Sequence, residues 1–233
     1  MTEKNERGPS KVLRGIAVTL MAITVVFTLL AGVGTTCVAL GAENYGSMAV
    51  LVPYKPLYQV LVIITLAVGI WGIPVTVSLV RGGPKVYRNA LLVLIIGVIS
   101  AGIQTAVSQA VRGSSAPVNV RFALTLFALV VFLLFRLPPL WQRLDFAQSV
   151  RGASKGASAG TALIVCGIII LTTPLWAAPT HLSPSGENWV HVIQTPLMLS
   201  GSLLLLAGVG LLSAAIGRVH RGQSRLAVLG RRI

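Results

Sequence analysis

Five stretches of this chain run for more than 20 residues without a single charge. They are residues 16–42, 57–80, 90–111, 157–178 and 192–216. A helix needs about 20 apolar residues to cross a hydrocarbon core of roughly 30 Å. A sixth stretch, 118–137, carries Arg121 and Arg136 near its ends. The uncharged part between them is about 21 Å long at 1.5 Å per residue. Long basic side chains near span ends reach back to the head groups, so 118–137 is read as a span with both arginines snorkelling. Lipid offers no hydrogen-bond partner to an open strand edge, so spans of this length are helices.

The 233 residues are 55% hydrophobic and 10% charged, with a mean hydropathy of +0.85. A soluble domain carries about 25% charged residues, so a disordered chain, a coiled coil and an ordinary soluble enzyme are excluded. The expected fold class is all-α, a polytopic integral membrane helical bundle of six transmembrane helices. Residues 1–233 form a single membrane domain with no soluble domain.

The net charge of +14 sets the orientation. Sixteen of the 19 basic residues fall in the N-terminus, the 81–89 loop, the 136–156 loop and the C-terminal tail. Lys55, Arg112 and Arg121 fall on the other side. Basic loops stay in the cytoplasm, so an even number of spans with both termini cytoplasmic is expected. The charge is thereby used for insertion, and nucleic acid is not an expected partner. A cleavable signal peptide is not expected either, because an h-region has about 7–15 residues and the first run is far longer. Two cysteines, no disulfide framework and no Asn-x-Ser/Thr sequon point to a bacterial or archaeal plasma membrane.

Between spans, Pro138 and Pro139 end the fourth helix. Leu137, Leu140, Trp141, Leu144 and Ala147 then recur at helical spacing, so 138–150 reads as an amphipathic segment in the inner interface. Outer residues 41–56 are read as dipping into the interface or covering the helix ends. The tail 217–233 is basic and is expected to meet anionic lipid at the cytoplasmic face, at about 1 kcal/mol per basic residue near the surface. Tyr45, Tyr54, Tyr58, Trp176 and Trp189 fall at outer span ends, as an interfacial aromatic belt does. Pro74, Pro174 and Pro196 are expected to kink or break the second, fifth and sixth spans.

Lipid removes the hydrophobic drive between helices, so small residues must allow close approach. Candidate faces are Gly97, Ala101, Gly102, Ala106 and Ala110 on the third span, and Gly156, Gly160, Ser158, Ala162 and Cys166 on the fifth. On the sixth they are Gly210 with Ala214 and Ser213 with Gly217. These faces meet other helices of the chain, other membrane subunits or a second copy.

Chemistry-bearing residues are few. No Walker loop, dinucleotide fingerprint, HExxH or GxSxG occurs, and no Asp, Glu, Lys or His lies deep in a span. Coupled carriers usually keep such a residue inside the membrane. On the third span, Ser100, Gln104 and Ser108 share one face, while Thr105, Gln109 and Arg112 share the next. Buried amides need partners, so this face is either an interhelical hydrogen-bond set or a polar cavity opening outward. His181, Glu187 and His191 gather at the outer rim and have the right donors for a metal or haem, without an established ligand spacing. No cofactor is expected. Cys37 and Cys166 differ in depth by about 10–15 Å and do not pair.

The expected function is a non-catalytic anchor or accessory subunit of a membrane complex. The alternative is a transporter or channel for a small neutral or anionic solute along the polar face of the third span. A third reading is a redox protein with a rim-bound haem, metal or quinone.

Overall fold

The computed structural model describes residues 10–229 except 47, 145, 147–152, 179–180, 182–185 and 187. The described chain is all-α. Eight helices follow one another: α1 (Lys11–Gly41), α2 (Lys55–Arg81), α3 (Val86–Arg112), α4 (Val118–Leu134), α5 (Pro138–Leu144), α6 (Ala153–Ala177), α7 (Trp189–Val192) and α8 (Gln194–Leu229). Short 3-10 turns at Ala42–Asn44 and Ala49–Tyr54 join α1 to α2. Five helices are long and apolar enough to cross a membrane, and six crossings result if α4 and α5, bent by 93°, count as one. The chain is a multi-pass membrane protein by helix length and hydropathy.

Local chemistry sets the boundaries. Ser10 caps α1 by accepting the Leu13 amide with its side chain. Gly113 ends α3 at φ 69°, a left-handed conformation that costs glycine nothing, while its amide bonds to the Gln109 carbonyl. Pro138 and Pro139 stand at the start of α5, where a missing N–H is harmless. Helices α2 and α6 continue through Pro74 and Pro174, so the expected breaks there do not occur. Pro196 stands in the first turn of α8, and the expected break falls just before it, between α7 and α8, where proline offers no N–H to the Val192 carbonyl.

α1 packs against α2, α4 and α6, while α2, α3 and α4 complete a four-helix group. α3 and α4 are antiparallel over their whole length. Arg121 near the start of α4 reaches Ser100 and Gln104, and the Phe132 carbonyl near its end accepts the Tyr87 hydroxyl at the start of α3. The fourth helix is therefore shorter than the expected 118–137, and it pairs with α3 from Ser100 in mid-helix to Tyr87 at its start.

One end of the bundle is basic. Arg14 of α1 donates from Nε to the Leu79 carbonyl near the end of α2, the Ser10 amide bonds to the Arg143 carbonyl, and Gly83 bonds to the Phe146 carbonyl. Phe132, Trp141 and Phe146 surround Tyr87, Phe135 packs on Phe132 and Phe146, and the Arg136 guanidinium lies 5.1 Å from the Trp141 ring. The described part of the expected amphipathic segment, 138–144 and Phe146, is thus tied to the helix ends, with Leu144 and Phe146 buried among them, while 145 and 147–150 lie outside the described residues. Arg136 stays exposed at this rim, as expected.

The opposite end is closed by Ala49–Tyr54. Leu51 packs with Val38, Ala39, Ala42, Tyr58 and Val62, and Lys55 pairs with Glu43 at 3.0 Å. The expected cover over the helix ends is present. Tyr58 is only 2% exposed and Tyr45 is buried too, so these two rings serve the interior rather than the aromatic belt.

α6 and α8 form a close antiparallel hairpin. A methyl group added at Gly160 would lie 2.8 Å from the Gly208 carbonyl oxygen, and one at Gly167 would lie 2.8 Å from that of Gly201. The obstacle is backbone, so neither helix can carry a side chain there without separating. Gly160 belongs to the stripe expected on the fifth span. The stripe expected on the sixth does not meet α6: Gly210 and Gly217 have nothing within 4 Å. Each turn of so glycine-rich a helix offers several small faces, and the partner decides which is used.

Candidate functional site

The most unusual chemistry lies inside the four-helix group. Arg121 stands one turn into α4 and is 1% exposed. Its Nη1 donates to Thr65 Oγ1 of α2 at 3.1 Å and to Gln104 Oε1 of α3 at 3.3 Å. Nη2 donates to Ser100 Oγ at 2.7 Å. Gln104 donates from Nε2 to Thr35 Oγ1 of α1 at 2.8 Å, and that hydroxyl donates to the Ala31 carbonyl. Thr125 Oγ1 donates back to the Arg121 carbonyl. One connected set of hydrogen bonds therefore joins α1, α2, α3 and α4.

The expectation that Arg121 snorkels to the head groups is overturned. Ser100 lies about 18 Å along α3 from that helix's end, at 1.5 Å per residue. The guanidinium points toward it, into the bundle. Gly97 makes room: a methyl there would lie 3.1 Å from Thr125 Cγ2, so α4 approaches α3 closely beside Arg121. An inward path is open because three neutral oxygens replace water around the charge.

Every partner of this guanidinium is neutral. Among the described residues no carboxylate pairs with it, and Arg121 Nε has no hydrogen-bond partner. A buried charge held only by dipoles costs more than one held by an opposite charge. The centre is therefore electropositive and under-neutralised.

The five expected cavity residues divide into three groups. Ser100 and Gln104 meet at Arg121. Ser108 and Arg112 meet one another nearer the closed end, where Arg112 Nη1 donates to Ser108 Oγ at 3.1 Å and Ser108 donates to the Ser114 carbonyl at 2.9 Å. Gln109 is exposed and donates to the Gly113 carbonyl at 3.1 Å. Thr105 keeps a buried hydroxyl without a partner.

Thr35, Thr65 and Arg121 are the members that sequence reasoning missed. A signal existed: Gln104 needed partners at its own depth, and Arg121 with Thr125 formed a polar step of four residues on the neighbouring span.

The outer-rim residues do not assemble. His181 Nδ1 donates to the Ala177 carbonyl at 2.8 Å, and its Nε2 lies beside Gly34 of α1. His191 is exposed on α7, and Glu187 lies outside the described residues. Among the described residues no three His, Cys, Asp or Glu side chains come close enough to hold a metal ion. Cys37 and Cys166 are both free thiols.

Compared with known proteins, the chain matches no family model, no curated protein sequence and no solved structure.

Proposed function

We propose that this chain is a non-catalytic anchor or accessory subunit of a membrane complex, with both termini in the cytoplasm of a prokaryotic cell. One observation carries the reading. Ser100, Gln104, Ser108, Gln109 and Arg112, the polar residues that could line a path through the bundle, bond instead to protein atoms around them. Ser100 and Gln104 hold helices together, while the hydrogen bonds from Arg112 to Ser108, from Ser108 to Ser114 and from Gln109 to Gly113 stay within α3 and the turn after it. The outward faces remain for partners: α8 packs chiefly on α6, leaving Leu203, Leu206, Val209 and Gly210 exposed.

A second reading is supported by Arg121 itself. An under-neutralised guanidinium in the membrane interior suits a carrier or channel for a small inorganic anion, bound at the free Nε.

Gentle detergent extraction of the native protein, followed by mass spectrometry of the intact particle, tests the first reading. A second polypeptide at fixed stoichiometry is expected. A lone monomer or homodimer, together with chloride flux in proteoliposomes that Arg121→Gln abolishes, would replace it with the second.

A further inference from the structure

At the basic end, three helices that are distant in sequence converge on an open groove of about 390 Å³. Arg81 comes from α2, Lys155 from α6 and Arg218 from α8, while Val80, Ala159 and Leu211 form aliphatic walls. Among the described residues no carboxylate lines it. Gly156 lets the two later helices meet here: a methyl at that position would lie 3.2 Å from Ala215 Cβ.

We propose that this groove is a site for the head group of an anionic glycerophospholipid. The cations sit at a particular level. Arg81 closes one apolar membrane segment, Lys155 opens another and Arg218 closes a third. All three therefore mark the boundary between hydrocarbon and water, which is the level of the lipid phosphates. Three like charges around one groove draw a single anion more strongly than any one of them does. A phosphodiester supplies that anion, and its acyl chains continue along Leu211, which is exposed, and Val80. A soluble phosphate would gain the charges but not the walls. Basic pockets between membrane helices at the cytoplasmic side are where anionic head groups dock. The site differs from the diffuse attraction expected of the tail, because it has a fixed set of three cations. It does not rest on the subunit reading, and a monomeric carrier would hold the same lipid.

The test uses the full-length protein, delipidated in detergent and offered equal amounts of phosphatidylglycerol and phosphatidylcholine. Native mass spectrometry counts what is retained. One phosphatidylglycerol per chain, held in preference to phosphatidylcholine, is expected. Neutralising Arg81→Gln, Lys155→Gln and Arg218→Gln together should abolish the preference, with about a fivefold loss for each charge. Lys11→Gln, Lys85→Gln and Arg88→Gln together remove as much charge outside the groove and should leave the preference intact. Arg218→Gln alone, at an exposed position, supplies the single-charge step should the triple variant misfold. Equal loss in both triple variants, or no preference in the unaltered protein, overturns the site. Displacement of the lipid by millimolar inorganic phosphate overturns the lipid assignment and leaves a soluble-anion site.

Discussion

At the scale of single residues, Arg121 and Gln104 dominate the energetics. Gln104 uses its oxygen for the guanidinium and its nitrogen for Thr35, so it holds α1 and α4 to α3 at once. Gln104→Leu keeps the volume but strips Arg121 of one acceptor and Thr35 of its donor. A buried polar group left unpaired costs about 1–3 kcal/mol, and more when charged. Arg121→Met removes the charge as well as the bonds, so its cost should be the smaller of the two, since replacing a buried charge by an apolar side chain is often neutral. The double variant should then be less destabilised than the two single costs added together. Unfolding of the four proteins in mixed micelles gives the cycle. Additivity within about 0.5 kcal/mol would mean that the two residues act independently. The pairing of Ser100 with Gln104 was legible, because four-residue spacing puts them on one face. The direction of Arg121 was not. Hydropathy registers a charge near a span end and assumes water is its best solvent, whereas three hydroxyl and amide oxygens on two other helices provide one inside.

At the scale of elements, hydrophobic run length and proline placement read out the spans and the start of α5, because both act within a single helix. Helix pairing depends on the second helix, and here the glycine pattern misled. α8 presents Gly201 and Gly208 to α6, seven residues apart, matching Gly167 and Gly160 in the antiparallel direction. Seven residues are close to two turns, so both contacts lie on one seam. Gly210 differs by only two residues and faces away. That contrast makes a clean experiment. Gly208→Ala would place a methyl 2.8 Å from the Gly160 carbonyl oxygen, the Ile164 amide nitrogen and Ile164 Cγ1, so backbone blocks it even where the Ile164 side chain yields. Overpacking of this kind costs about 1–3 kcal/mol. Gly210→Ala meets nothing within 4 Å and should be neutral or slightly stabilising through helix propensity. Thermal denaturation of both variants in the same detergent compares them directly. Equal stability would show that α6 and α8 are not held by this seam.

At the scale of the whole molecule, the packing gathers the basic helix ends on one side of the bundle. Arg14 of α1 lies beside Leu79 of α2, and Arg81 of α2 shares a groove with Arg218 of α8, so the start of the first helix and the membrane exit of the last stand at one end of the bundle. Lys55 and Arg112 stand at the other. An even number of crossings follows if the bent pair α4 and α5 counts as one, and the antiparallel contacts of α4 with α3 run from Ser100 in mid-helix to Tyr87 at the basic end. The proposed cytoplasmic placement of the basic loops would put the end bearing Arg14, Arg81, Lys155 and Arg218 inside the cell. Labelling by a membrane-impermeant maleimide reads this out, with Cys166 buried and Cys37 replaced by Ala to remove its thiol. A cysteine at Ser115, in the turn between α3 and α4, should react in intact cells. One at Lys85, between α2 and α3, should react only after permeabilisation. If α4 were instead a re-entrant element that returns to its own side, both halves of the bundle would change sides relative to one another. In that case a cysteine at Lys85 and one at Arg218 would label from opposite faces, and the groove that brings Arg218 next to Arg81 could not exist. The labelling pattern therefore tests the sixth crossing and the bundle geometry together, independently of any function assigned to the protein.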